Sequence, residues 1–99
     1  TEDGYAAPQT DTERVIAAVW ADVLGLDRVG VHDNFFDLGG DSVRSLHIAS
    51  QLQAAFDVAL TPREVLVTRT VAALAELVEE KVLSELERVA LGDGNRDDR

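Results

Sequence analysis

The side chains best placed to do chemistry crowd into one run, Asp33-Asn34-Phe35-Phe36-Asp37-Leu38-Gly39-Gly40-Asp41-Ser42. A calcium loop starting at Asp33 would need an oxygen ligand at its third position, Gly at its sixth and Glu at its twelfth. Phe35, Leu38 and Arg44 stand there instead. A serine hydrolase would place Ser42 in a G-x-S-x-G elbow between a strand and a helix. Gly40-Asp41-Ser42-Val43-Arg44 lacks the second glycine, and no strand pattern leads into it. His47 lies five residues past Ser42 on the same expected helix, so it faces away from the hydroxyl. Two readings remain. In one, the glycines only make a turn and Asp41 or Ser42 caps a helix. In the other, Ser42 is the attachment point for a phosphate-bearing group. The unpaired N–H groups and positive dipole end of a helix N-terminus stabilise a phosphodiester there. The glycines give another enzyme access, and Ser42 is then a substrate and tether rather than a nucleophile. Only the tether accounts for an exposed Ser at the end of a long, partly apolar loop.

The elements that must position Ser42 are helical. Thr10-Asp11-Thr12-Glu13 has the capping-box form. Val15, Ile16, Val19, Trp20, Val23 and Leu24 follow at three- and four-residue steps, which predicts an amphipathic helix over about 12–24. Residues 25–41 fit neither helical nor strand period, yet carry Leu26, Val29, Val31, Phe35, Phe36 and Leu38. So long a loop is expected to be functional and to pack on the core. A second helix should begin at Asp41 or Ser42 and reach Phe56, with Ser45, Ile48, Ala49, Leu52 and Phe56 inward. Thr61-Pro62-Arg63-Glu64 starts a short third helix, ending near Val67. Thr70 can cap a fourth from Val71, whose apolar period lasts almost to Gly92; Ser84 and Glu87 offer a second capping box where it could break and restart. The charged, glycine-containing residues 92–99 read as a disordered tail. The fold class is all-α: a small four-helix bundle of three main helices and one short one, with a long first connection and an extended C-terminal helix or tail.

Composition narrows the function. Ninety-nine residues form one domain with a modest core. The net charge of −10 disfavours nucleic acid and anionic membrane. Without Cys there is no thiolate or disulfide, and two His leave little for a metal site. No apolar run approaches a membrane span and no signal peptide opens the chain. Because Met is absent even at position 1, the expectation is a segment cut from a longer polypeptide, or processed.

The run 33–42 resembles the modification site of carrier, or thiolation, domains, and most of all the peptidyl carrier domains of nonribosomal peptide synthetases. The resemblance extends through Val29-Gly30-Val31-His32 and Trp20-Ala21-Asp22-Val23-Leu24-Gly25. Upstream, Tyr5-Ala6-Ala7-Pro8 looks like the linker that follows an adenylation domain; downstream, Thr61-Pro62 also fits. Acyl carriers of polyketide or hybrid pathways share the Asp-Ser pair but usually lack the Phe-Phe-x-Leu-Gly-Gly lead-in, and rank second. The resemblance implies an acyl-carrier-type bundle with phosphopantetheine, drawn from coenzyme A, on Ser42 beside Gly40 and Asp41. Its terminal thiol would hold aminoacyl or peptidyl groups as thioesters. The domain itself would be a non-catalytic, cytoplasmic carrier, monomeric when excised. Its partners would be a phosphopantetheinyl transferase and adenylation, condensation and, in some assemblies, epimerisation or thioesterase domains. Asp41 stands where such carriers often have His; in this family Asp there is associated with service to epimerisation domains, and it also occurs in aryl carriers and others.

Val43 and Leu46 should lie beside the tether on one helix face, with Arg44, Val65 and Leu66 as further candidates for partner contact. The expected organisation is linker 1–10, carrier domain 11–82 and C-terminal extension 83–99. In the extension Leu83, Leu86 and Val89 could bind a groove or sheet edge of a downstream synthetase's docking domain, as at the end of a last domain. A plain helical interaction module, unmodified at Ser42, is the other class of function.

Overall fold

The computed structural model describes residues 5–97. Four helices follow in order: α1 (Asp11–Leu24), α2 (Ser42–Phe56), α3 (Pro62–Thr68) and α4 (Val71–Asp97). No strand occurs among the described residues. The first four residues of the expected linker and the last two of the expected tail lie outside the described residues.

Each helix starts where a side chain can satisfy its free N–H groups. At α1, Thr10 Oγ1 accepts the Glu13 N–H at 3.0 Å, and Glu13 Oε1 accepts the Thr10 N–H at 3.3 Å. Thr61 and Glu64 repeat the arrangement at α3, with Pro62 in the first turn where its missing N–H costs nothing. The ends are left-handed: Gly25 (φ 72°) closes α1, Asp57 (φ 57°) closes α2 and Arg69 (φ 68°) closes α3.

The core lies where the four helices and the α1–α2 loop meet. Ile16, Trp20, Val29, Val31, Phe35, Ile48, Leu52, Leu60, Val65, Val71, Leu74 and Val78 are buried in it. Burial of each large apolar side chain is worth about 1.5–3 kcal/mol, against about 1 kcal/mol for a cap. The core therefore drives folding, and the caps fix the helix starts. Among the described residues, Trp20 Nε1 is a buried polar atom without a partner.

The loop over 25–41 packs down because its apolar side chains enter that core and its backbone is tied on both sides. The Val31 N–H donates to the Ala6 carbonyl at 2.9 Å. The Val31 carbonyl accepts the Ala72 N–H at 2.9 Å, at the start of α4. Four residues on, the Phe35 N–H donates to the Arg69 carbonyl at 2.7 Å. An ion pair between Glu64 and Lys81 at 3.1 Å ties α3 to α4.

Two expectations about the C-terminus are corrected. The fourth helix does not break at Ser84 but runs unbroken, and residues 92–97, expected as disordered tail, are helical. Extending a formed helix costs less than nucleating a second one, and residues 79–91 are dominated by strong helix formers. Glu85 and Arg88 also pair across one turn. From Leu83 to Ala90 every side chain of α4 is exposed, and the molecule measures 57 × 29 × 19 Å.

Candidate functional site

Ser42 is the first residue of α2, and the turn before it is wound around one buried side chain. The Phe35 ring is fully buried, edge-on to Trp20 at 5.2 Å between centroids. The Phe35 carbonyl accepts the N–H groups of Leu38 at 3.2 Å and Gly40 at 2.9 Å. Asn34 Oδ1 accepts those of Phe36 at 2.8 Å and Asp37 at 3.3 Å, an Asx turn that starts the coil. Gly39 turns the chain at φ 97°, where an L side chain would be strained. Gly40 has a different reason. A Cβ there would lie 2.4 Å from Phe35 Cε2 and Cζ, so the ring occupies the space of the missing side chain.

Asp41 is the N-cap of α2. Its Oδ1 accepts the Arg44 N–H at 2.9 Å, and its Oδ2 pairs with Arg44 Nη1 at 3.0 Å. The Arg44 backbone hydrogen bond, helped by the guanidinium charge, holds the Asp41 carboxyl below its usual range. Arg44 is thereby engaged with Asp41 while remaining exposed. Ser42 is exposed, and its hydroxyl makes no hydrogen bond among the described residues. Ser45, one turn on, is fully buried and donates from Oγ to the Ser42 carbonyl at 2.7 Å. Chemistry that needs an accessible hydroxyl finds it at Ser42 and not at Ser45.

An exposed hydroxyl at a helix N-terminus, with glycine on its approach, suits a covalently held phosphate group. The dipole end there is positive, although Asp41 already takes the Arg44 N–H and guanidinium. The residues present therefore fit phosphopantetheine in access and in the helix-end position of the hydroxyl. His32 and His47 are both exposed. Among the described residues, no group of three or more His, Cys, Asp or Glu side chains is placed to hold a metal ion.

Apolar side chains stand open on α2 just past Ser42, on the loop before it and on α3. Phe36, Val43, Leu46 and Val67 are 47%, 61%, 55% and 60% exposed. Val65, expected on this surface, is instead fully buried, and Leu66 is half-buried against the core. Val67 takes the outward place. Two residues along a helix turn about 200°, so once Val65 points inward from the Pro62 start, Val67 must point outward. The two-residue spacing was present in the sequence; which of the two faces inward was not.

A second apolar surface lies on the projecting part of α4, where Leu83, Leu86 and Val89 are 60%, 62% and 52% exposed. Beside it is an open groove of about 410 Å³ lined by Val58, Ala59, Glu80, Lys81, Ser84, Glu85 and Arg88. Val58 and Ala59 follow the C-terminal end of α2, so this surface and Ser42 sit at opposite ends of that helix. Among the described residues, no helix is long and apolar enough to cross a membrane.

Comparison with known proteins agrees with this geometry. The family model described as phosphopantetheine attachment site matches residues 14–78. One of the linear gramicidin synthase polypeptides of Brevibacillus parabrevis is 44% identical over 90 residues, which is 91% of this chain and 2% of that protein. The chain thus spans a small part of the curated relatives it matches. Among solved structures, a non-covalent extended docking domain complex of the Pax NRPS (PaxA T1-CDD/PaxB NDD) superposes with a TM-score of 0.82 at 31% identity. That match covers 98% of this chain and 93% of the other. A complex of the phosphopantetheine transferase Sfp with coenzyme A and a peptidyl carrier protein gives 0.74 at 33% identity, covering 77% of this chain and 99% of the other.

Proposed function

Since this chain belongs to the phosphopantetheine-attachment family, as a peptidyl carrier domain of the nonribosomal peptide synthetase type, we propose that Ser42 is the residue that carries the group. The observation that carries the assignment is the exposed, unengaged Ser42 hydroxyl at the start of α2, beside a buried and engaged Ser45. When bound, phosphopantetheine supplies the thiol on which an acyl group is held as a thioester. The protein's own work is positional. Gly39 and Gly40 keep the approach open, Asp41 caps the helix, and the Phe35 anchor fixes the turn. The chain is a carrier without catalytic chemistry of its own, acting in the cytoplasm.

Its partners follow from the same reading. A phosphopantetheinyl transferase loads Ser42 from coenzyme A. Adenylation and condensation domains, with epimerisation or thioesterase domains in some assemblies, then meet the face formed by Val43, Leu46 and Arg44, joined by Phe36 and Val67. The surplus of acid steers the carrier toward basic surfaces. In this organisation residues 1–10 are a linker, 11–82 the carrier domain and 83–99 a docking segment for a downstream synthetase. Leu83, Leu86 and Val89 are its contact stripe. Similarity across nearly the whole chain to a structure that contains a docking domain complex supports that last assignment.

The test of Ser42 is intact mass after incubation with coenzyme A and a broad-specificity phosphopantetheinyl transferase. One added phosphopantetheine is expected, and none on Ser42→Ala. No gain on a folded protein, or a gain that survives Ser42→Ala, overturns the assignment. Truncation after Val82 should abolish transfer to the downstream synthetase while leaving loading intact; unchanged transfer overturns the docking segment.

A further inference from the structure

The residues ahead of α1 do not stand clear of the bundle. The Ala6 carbonyl accepts the Val31 N–H at 2.9 Å. The Arg28 guanidinium lies over the Tyr5 ring, 3.8 Å from its centroid, a cation–π contact. Between these two contacts sits Gly30. A Cβ there would meet Ala6 N at 3.2 Å, Tyr5 Cδ1 at 3.2 Å and Asp33 Oδ2 at 3.1 Å. Further on, the Gln9 N–H donates to Glu13 Oε1 at 2.8 Å, which anchors the other end of the segment to α1. Residues 5–9 are therefore stretched between the first turn of α1 and the α1–α2 loop.

The contact at Val31 links this segment to the site. The same residue's carbonyl accepts the Ala72 N–H, so Val31 joins the leading segment to the first turn of α4. Asp33, which receives the Gly30 N–H at 2.9 Å, opens the run that ends at Ser42. Phe35 follows two residues later. A shift at Gly30 and Val31 has only four residues in which to dissipate before it reaches the ring that sets Gly40.

We propose that residues 5–8 are a releasable strap on the α1–α2 loop, and that its docking is coupled to the order of the turn at 33–42. The strap is releasable because its side chains are half-buried or exposed rather than locked in the core. Such segments open at the low-energy end of a protein's fluctuations. The coupling is reciprocal: tension on the chain ahead of α1 loosens the turn, and whatever orders the turn tightens the strap. This goes beyond the tether reading and does not depend on it.

Amide hydrogen exchange, followed residue by residue on the intact 99-residue chain, tests the proposal. Tyr5→Ala removes the ring, while Gly30→Ala keeps it but crowds Ala6 N and Tyr5 Cδ1 of the strap at 3.2 Å. Each should speed exchange at Val31 by about five- to tenfold and at Phe35 and Gly40 by at least about twofold, with Leu52 in α2 unchanged. Tyr5→Phe, which keeps the ring, should match the parent. Three outcomes overturn the proposal: an unchanged Val31 in Tyr5→Ala, a faster Val31 with Phe35 and Gly40 unmoved, or uniform acceleration that includes Leu52.

Discussion

Replacing Gly40 by alanine puts a methyl carbon where the Phe35 ring already lies. The new Cβ would be 2.4 Å from Cε2 and Cζ and 2.6 Å from Cδ2, whereas carbon atoms rest about 3.5–4.0 Å apart. The ring would have to retreat by more than about 1 Å. It has nowhere to go: it is fully buried, with Trp20 at 5.2 Å on one side and Phe36 at 5.6 Å on another. Overpacking of a closed core costs about 1–3 kcal/mol. In a domain of this size each kcal/mol lowers Tm by about 4–8 °C, so the middle of that range is a loss of roughly 8–16 °C. Thermal unfolding followed by far-ultraviolet circular dichroism reads it. Specificity comes from a second background. In Phe35→Leu the obstacle is smaller, and Gly40→Ala should cost at least about 1 kcal/mol less there than in the parent, a coupling expected only of groups in contact. Gly39→Ala is the contrast. Its Cβ would meet nothing within 4 Å, but φ is 97°, so it should cost about 1–2 kcal/mol through backbone strain, in equal measure in both backgrounds. A Gly40→Ala protein within about 0.5 kcal/mol of the parent, or costs that add in Phe35→Leu, would refute the reasoning.

The other expected outcomes concern α3 and α4. Val65→Ala should lose about 1–3 kcal/mol of stability because it empties a fully buried position, and Val67→Ala, on the outward face, should stay within about 0.5 kcal/mol; equal losses would reverse the assignment of the two faces. Burial raises the Glu64 pKa, but hydrogen bonds from Thr61 and Lys81 and the Lys81 charge more than offset it, leaving the carboxyl below its ordinary 4.5. A depressed carboxylate contributes stability above the unfolded value and loses it as pH falls through the folded one. The advantage of the parent over Glu64→Gln, about 0.2–1 kcal/mol near neutrality, should therefore shrink below pH 4.5. Melting temperatures measured down the acid limb check this, and a constant difference contradicts it. The triple change of Leu83, Leu86 and Val89 to alanine should cost little stability, since all three are more than half exposed, and should weaken capture by the downstream synthetase in a binding titration.

Much of this was legible from the residues because local chemistry and global fold agree. Thr10 with Glu13 and Thr61 with Pro62 and Glu64 mark helix starts that the structure keeps. Ser45, Ile48, Ala49 and Leu52 follow one helical period and form the inner face of α2. Less legible was whatever depends on a tertiary neighbour. Nothing local distinguishes Phe35 from Phe36; the first is buried because its backbone is tied to Arg69, and the second is left outward. The inward turn of Val65 follows from α3 packing against both α2 and α4. The docking of Tyr5 and Ala6 was hidden because it rests on a backbone carbonyl and on a glycine far along the chain, neither of which leaves a side-chain pattern.

The placement of the two apolar surfaces has a kinetic consequence. The fifteen residues of α2 separate Ser42 from the groove beside α4 by about 22 Å. Occupying one end leaves the other free. A synthetase held at the projecting helix would keep the tethered group within reach of its own active site, turning a search through solution into one confined to a small volume. The local concentration is then set by the span between the two ends rather than by how much protein is present. Weak binding at each surface is enough under those conditions, and weak binding is what lets a carrier leave.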